Sequence, residues 1–320
     1  MRAIVVSTPG DSSALEYTEV PDPVPGPGEV LIDVAASGVN FIDVYHRMGR
    51  YQLPLPFTPG SEGAGTVAAV GPDVTGVSVG DKVGWVNVPG SYAERAVIRA
   101  DRLIPLPDGI TPQTAAGVLL QGLTAQYLTH STYEIKPGDD VLVHAGAGGM
   151  GQLLIQVAKL RGARVITTVS TAEKEKIARE AGADHVLRYD GFAEAVKEIT
   201  GGAGVHVVYD GVGAATFEGS LASLRPRGLL ALYGAASGPV PPFDPQRLNP
   251  LGSLFLTRPS LHHYILTREE LLSRAETVFG WLTEGRVRVN VFRRYPLAEA
   301  RQAHDDLEGR RTTGKLLLIP

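Results

Sequence analysis

The sequence contains no cysteine. That excludes disulfides, every thiolate-held zinc site and a cysteine nucleophile. It also has no apolar run of about 18 residues, the length a membrane-spanning helix needs, so no span is expected. Charge of one sign is scarce: 30 Lys and Arg against 34 Asp and Glu leave a formal net charge of −4. Such a chain has no overall electrostatic pull toward nucleic acid or an anionic membrane, and no nucleic-acid partner is expected. The start, Met1-Arg2-Ala3-Ile4-Val5-Val6, lacks the apolar h-region and cleavage site of a secretory leader. Cytoplasmic residence is the expectation. There is no internal repeat and no low-complexity segment.

What is present is an ordinary globular composition, 43% hydrophobic and 20% charged, over 320 residues. That length accommodates two domains, each with its own core. Before residue 110 the pattern is short strands between Gly and Pro turns: Ile4-Val5-Val6, Glu29 to Ala36, Gly65 to Val70, a turn followed by a strand within Val79 to Trp85, and Ser91 to Ile98. Asn40 to Gly49 interrupts them as a short helix. From Thr111-Pro112 the texture changes to alternating strands and helices. Pro112 sits at a first helical position and 121–135 reads as a helix. Strands are predicted at 164–169, 185–187, 205–210 and 228–234, with helices at 171–181, 191–200 and 214–224. This rhythm means a parallel sheet covered on both faces. Leu254-Phe255-Leu256 adds a strand. A helix over 268–283, a basic strand from Val287 to Phe292, a helix from Leu297 and a strand from Lys315 close the chain.

The chain is organised around Val141-Leu142-Val143-His144-Ala145-Gly146-Ala147-Gly148-Gly149-Met150-Gly151. A buried strand runs into a Gly146-x-Gly148-x-x-Gly151 turn and then into residues at helical spacing. Glycines let backbone N–H groups close on a pyrophosphate, and the helix N-terminus adds partial positive charge. This order predicts a dinucleotide-binding turn. In such units a carboxylate at the end of the second strand binds the ribose 2′-hydroxyl of NAD and repels the 2′-phosphate of NADP. Here the strand ends Thr168-Val169-Ser170-Thr171-Ala172-Glu173-Lys174, with hydroxyls and then a lysine. That suits a dianionic phosphate. The same residues also read as a Ser170 helix cap with a surface lysine, and Glu173 points into the first helical turn.

Taken together, Gly38 to Tyr45, Pro59-Gly60-Ser61-Glu62-Gly63-Ala64-Gly65, Gln121 to Ala125, the glycine turn, Val207 to Gly213 and Gly252 to Leu261 resemble the medium-chain dehydrogenase/reductase superfamily, in particular its zinc-free NADPH:quinone oxidoreductase (ζ-crystallin-like) branch. The resemblance covers almost the whole chain. It implies an α/β protein with a GroES-like β-barrel domain over 1–122, a doubly wound Rossmann domain over 123–264 and a C-terminal return to the first domain over 265–320, with NADPH bound in the cleft between the domains. Zinc-dependent relatives carry Gly-His-Glu and a cysteine ligand. Here Gly60-Ser61-Glu62 stands in that place, and His46, His144, His262 and His263 are not spaced as a ligand set, so no metal is expected.

Residue by residue, the resemblance places Asn40 and Tyr45 near the nicotinamide and its ribose, and Tyr51 at the substrate mouth. These three are the candidate catalytic residues. Thr124 matches a cofactor-contacting threonine. Gly148, Gly149 and Met150 fall on the pyrophosphate. Ser170, Lys174 and Tyr189 fall at the 2′-phosphate, Tyr233, Gly234 and Ala235 at the cofactor edge, and Arg310 on the cofactor from the C-terminus. Each has a structural alternative: Asn40 as a helix cap, Tyr45 and Tyr51 as core-edge aromatics, Arg310 as an exposed helix-end charge. Arg188 either strengthens phosphate binding or faces water. The reaction implied is transfer of reducing equivalents from NADPH to a quinone or another conjugated carbonyl. A quinone needs little polarisation because its reduced form is aromatic. An enone or enoyl reductase and an NADPH-binding structural or RNA-binding protein are the alternatives, the latter supported only by Arg286, Arg288, Arg293 and Arg294. The segment from Leu254 to Leu261 resembles one through which such proteins pair into homodimers.

Overall fold

A computed structural model describes residues 1–320. The chain packs as two units. One comprises Met1–Leu123, Tyr264–Gly285 and Val289–Pro320; the other comprises Thr124–His263 with Arg286–Arg288.

The Gly- and Pro-punctuated N-terminal third forms β1 (Arg2–Val5), β2 (Glu16–Glu19), β3 (Glu29–Val39), β4 (Glu62–Val70), β5 (Lys82–Val86), β6 (Arg95–Arg99) and β7 (Ile104–Pro105), with α1 (Phe41–Arg47) after β3. Then α2 (Pro112–Tyr127) begins at the expected proline and runs on as a π-turn over Leu128–Thr132. The helix expected over 121–135 is therefore the second half of a longer one, which ends at Thr132 with Tyr133 already extended. Its start is hard to place by periodicity because α2 is apolar on nearly every face, with Ala115, Ala116, Val118, Leu119, Leu123 and Tyr127 all buried.

The second unit alternates β8 (Asp140–Val143), α3 (Gly149–Leu160), β9 (Arg164–Thr168), α4 (Ala172–Glu180), β10 (His185–Leu187), α5 (Phe192–Ile199), β11 (Val205–Asp210), α6 (Phe217–Ser223), β12 (Leu224–Leu232) and β13 (Phe255–Thr257). The six strands are all parallel, in the order β10-β9-β8-β11-β12-β13. Strand order reverses between β8 and β11, the position where open α/β sheets bind ligands at the strands' carboxyl ends. Leu142, Ile166, Val205, Val208, Phe217 and Leu230 fill the core.

The chain then returns as α7 (Arg268–Thr283), β14 (Val291–Pro296), α8 (Ala300–Glu308) and β15 (Lys315–Ile319). The first unit's sheet runs β14-β15-β3-β4-β5-β7, with β6 also on β3. The basic strand expected at Val287 to Phe292 lies four residues later. Its register is set by β15, which pairs Val291 with Lys315 and Tyr295 with Leu318, a partner no local pattern identifies. Two apolar clusters fill this unit, one around Val30, Ile32, Val83 and Trp85, the other around Ile4, Tyr92, Tyr295 and Leu316.

Candidate functional site

In the second unit the expected cofactor residues gather at the carboxyl ends of the parallel strands. The glycine turn follows β8. Ser170 stands two residues past β9, Tyr189 two past β10, and Tyr233, Gly234 and Ala235 directly follow β12. Gly148 is the N-cap of α3, with Gly149 and Met150 in its first turn. The first-turn N–H groups of a helix have no partner inside it. The turn is held from below: the Gly148 N–H reaches the Ala145 carbonyl at 2.9 Å and the Gly146 N–H reaches the Thr168 carbonyl at 3.0 Å. Gly151 is required by packing, because a Cβ there would strike the Ala145 carbonyl oxygen. At Gly148 a Cβ would meet only that same oxygen, at 3.3 Å. The protein leaves the space over Gly148 open, as a close pyrophosphate needs.

No carboxylate follows β9. The α4 cap is Thr171, which accepts the Lys174 N–H at 3.3 Å, so the capping expected of Ser170 belongs to its neighbour and Ser170 is exposed. Glu173 is exposed and its carboxyl accepts its own N–H and the Thr171 hydroxyl, which hold it below the usual carboxylate range. Its place in the first turn of α4 matches expectation. Arg188 pairs with Glu175 on α4 at 3.0 Å rather than standing alone in solvent. Thr124 lies buried on α2.

In the first unit, Asn40 precedes α1 as its N-cap, with the Asp43 carboxylate accepting the Asn40 backbone N–H at 2.9 Å. Its side chain does something else. The amide nitrogen donates to Glu62 at 2.9 Å and to the Gly38 carbonyl at 3.2 Å, and the amide oxygen accepts from Lys315 Nζ at 2.8 Å. Lys315 also lies 2.5 Å from Glu62, whose other oxygen accepts the Leu120 N–H at 2.7 Å. Strand register makes this cluster. Pairing Leu316 with Val39 sets Lys315 opposite Asn40, and pairing Ser37 with Gly63 sets Gly38 opposite Glu62. Asn40 is thus both cap and network member, with its amide hydrogens and oxygen engaged internally.

A second run of buried polar groups adjoins the first. Asp43 accepts from Ser61 N and Oγ at 3.0 and 2.8 Å and from the Tyr92 hydroxyl at 3.1 Å. Burial outweighs these donors and pushes the Asp43 carboxyl up to about 6. Tyr92 and His304 Nε2 are 3.1 Å apart, and His304 Nδ1 lies 3.1 Å from Arg47, whose guanidinium pairs with Glu308 at 2.8 Å. Burial and Arg47 push His304 down to about 3, so it is neutral. Arg47 can only donate, which makes Nδ1 the acceptor and Nε2 the protonated nitrogen. Neither Lys315 nor His304 is among the residues expected from sequence. A lysine heading the apolar run Leu316-Leu317-Leu318-Ile319 is the one local hint.

Tyr45 lies on α1, largely buried. Tyr51 is exposed and meets it edge-on at 5.8 Å, and the Arg50 guanidinium lies 5.4 Å from the Tyr45 ring. The backbone N–H groups of Arg50 and Tyr51 both reach the Tyr45 carbonyl, at 2.9 and 3.4 Å. Tyr45, expected near the nicotinamide, and Tyr51, expected at the substrate mouth, therefore share one turn. Arg310 stands two residues beyond Glu308, exposed, in left-handed backbone at φ 56°.

Two family models match: an alcohol dehydrogenase GroES-like domain over residues 26–108 and a zinc-binding dehydrogenase domain over 149–278. A quinone oxidoreductase of Pseudomonas aeruginosa is 45% identical over 315 residues, 97% of each chain. The chain belongs to the quinone oxidoreductase family. A 2-haloacrylate reductase of Burkholderia is 43% identical, covering 100% of this chain and 99% of its own. A mycobacterial protein solved with NADPH superposes with a TM-score of 0.97 at 53% identity, covering 100% of both chains. The zinc in one family description does not fit the residues here. Both oxygens of Glu62 are engaged by Lys315, Asn40 and the Leu120 N–H, Ser61 is turned onto Asp43, and no three His, Asp or Glu side chains converge as a ligand set.

Proposed function

We propose that this member of the quinone oxidoreductase family reduces quinones with NADPH and uses no catalytic metal. The observation that carries the reading is the end of β9. It offers Ser170 and Lys174 where an NAD-preferring strand would offer a carboxylate; of the two acids in the first turn of α4, Glu173 is folded onto its own helix cap and Glu175 is paired with Arg188. The fit to the nucleotide is physical: the open space over Gly148, the α3 N-terminus and the Lys174 ammonium suit the pyrophosphate and the 2′-phosphate. NADPH, when bound, supplies the reducing equivalents. The chain binds its phosphates through the Gly148–Met150 backbone, Ser170, Lys174 and Tyr189. Thr124, Tyr233, Gly234 and Ala235 of the same unit are assigned to the rest of the cofactor, and Arg310 is assigned to it by the family resemblance alone. Asn40 acts by fixing the start of α1, and Tyr45 and Tyr51 are the candidate proton donors to the reduced acceptor, through a hydroxyl or a held water.

The chain acts in the cytoplasm and pairs as a homodimer through the exposed edge of the sheet at β13. No helix is long and apolar enough to cross a membrane. Oxidation of NADPH and of NADH against a panel of quinones and enones tests the function. Quinone activity with a strong NADPH preference is expected. Activity only with enones would move the acceptor to conjugated carbonyls, a reading that the similarity to a 2-haloacrylate reductase supports.

A further inference from the structure

Beneath the glycine turn lies a polar chain that the readings above leave unused. His144, Ser220 and Asp210 are all fully buried. They have the residue types of a nucleophilic triad, but serine sits between histidine and aspartate and none of them reaches solvent, so no attack on a substrate is available. Their hydrogens run in a determined order instead. Asp210 accepts the Val212 and Gly213 N–H groups at 2.8 and 3.0 Å, the Thr216 hydroxyl at 2.7 Å and the Ser220 hydroxyl at 2.8 Å. Ser220 has one proton, and it is given to Asp210. The contact of 2.9 Å between Ser220 Oγ and His144 Nε2 must then be donated by the ring. Burial holds His144 below its usual range and therefore neutral, which leaves Nδ1 bare. The Thr168 hydroxyl, 2.8 Å away, donates to it. With its proton spent, Thr168 Oγ1 faces the Ala145 N–H at 3.4 Å. Ala145 is the strained residue of the turn, at φ 55° without being glycine. Its carbonyl accepts the Gly148 N–H and abuts Gly151.

We propose that His144, fixed in one tautomer by Ser220 and Asp210, is a positioning residue that sets Thr168 under Ala145 and so determines how tightly the glycine turn holds the pyrophosphate of either nicotinamide dinucleotide. The proposal rests on that turn being the dinucleotide site. It differs from the reading of Lys174, which separates NADPH from NADH, because the pyrophosphate is common to both. Tyr189 and Phe192 flank the ring at centroid distances of 6.3 and 4.9 Å, which keeps it from turning over.

Nitrogen-15 NMR of the full-length chain reads the tautomer directly, with His144→Gln used for assignment. Protonated Nε2 and bare Nδ1 are expected; a protonated Nδ1 overturns the proposal. Calorimetric titration of Thr168→Val with each nucleotide is the second test. Dissociation constants for NADPH and NADH should rise together, by roughly tenfold, the effect of leaving one buried polar group unpaired, with kcat at saturation within about twofold, since nothing at the reacting end changes. Thr168→Ser, which keeps the hydroxyl, should restore both constants. A loss confined to NADPH, or no change for either nucleotide, overturns it. If the unaltered chain binds neither nucleotide, the dinucleotide reading itself fails, whatever tautomer the NMR reports.

Discussion

The two units keep their charges in different places. The first buries both signs, with Lys315, Glu62, Asp43 and Arg47 nearly or wholly inaccessible. The second buries Asp210 and Asp139 but no cation, and leaves Lys174 half-buried and Arg188 exposed beyond the strand ends, the latter paired with Glu175. A buried charge pair returns little net stability, because desolvation consumes its attraction, yet removing one member is costly. An anion held by four neutral donors, as Asp210 is, needs no counter-charge. The first unit therefore uses charge to fix register among strands distant in sequence. The second uses dipoles to hold a turn and keeps its cations near its surface.

The largest way to break this contrast is Lys315→Met. It leaves Glu62 charged, buried and short of a donor, and should cost about 3–5 kcal/mol in denaturant unfolding. Adding Glu62→Gln should recover much of that loss. If the double variant is no more stable than the single, the two groups are not acting as a pair.

Asp43 gives the next effect. Its folded pKa of about 6 lies well above the ordinary carboxylate value of about 4. The stability it contributes is therefore present below pH 4 and is lost as pH rises through 6, by about 3 kcal/mol. Asp43→Asn mimics the protonated form, so it should compare worst with wild type near pH 4 and better at pH 8. Unfolding curves at the two pH values check the sign.

In the second unit, Lys174→Ala should weaken NADPH binding by roughly 10–100-fold, the range for a charge-assisted hydrogen bond, and leave NADH almost unchanged. Equal losses measured by titration would remove the 2′-phosphate from that end of the sheet. The smallest expected change is Thr171→Ala, about 1 kcal/mol from the lost helix cap. Ser170→Ala should not reproduce it, and thermal melts of the pair distinguish the two hydroxyls.

What could be read from residues alone follows the same division. The second unit is written locally. Each strand is apolar over a few residues, each helix starts within a short turn of it, and the glycine turn declares its own geometry, so β8 to β11 fall close to where their patterns predict. There are two exceptions: β12 begins four residues before the expected Gly228, and at the α4 cap two adjacent hydroxyl residues compete and only the backbone at Thr171 decides. The first unit depends on partners far along the chain. Asn40 meets Lys315 across 275 residues and Arg47 meets His304 across 257. No period or motif reports such pairings, so Asn40 reads as a cofactor neighbour by resemblance or a helix cap by pattern but not as a partner of Lys315, Lys315 reads as the start of a strand, and β14 is displaced by four residues.

β15 lies between β14 and β3, and Lys315 at its head is the partner of Glu62, 253 residues earlier. On a ribosome adding about 5–20 residues per second, that separation is a wait of roughly 10–50 seconds. Throughout it, the sheet begun by β3 and β4 lacks both the strand that flanks β3 and the cation for its buried carboxylate. The unbroken run from Thr124 to His263, by contrast, has every strand of its sheet before the last helix and strands are made. The birth order of the two units is thereby inverted: the half that starts the chain is the half that finishes folding.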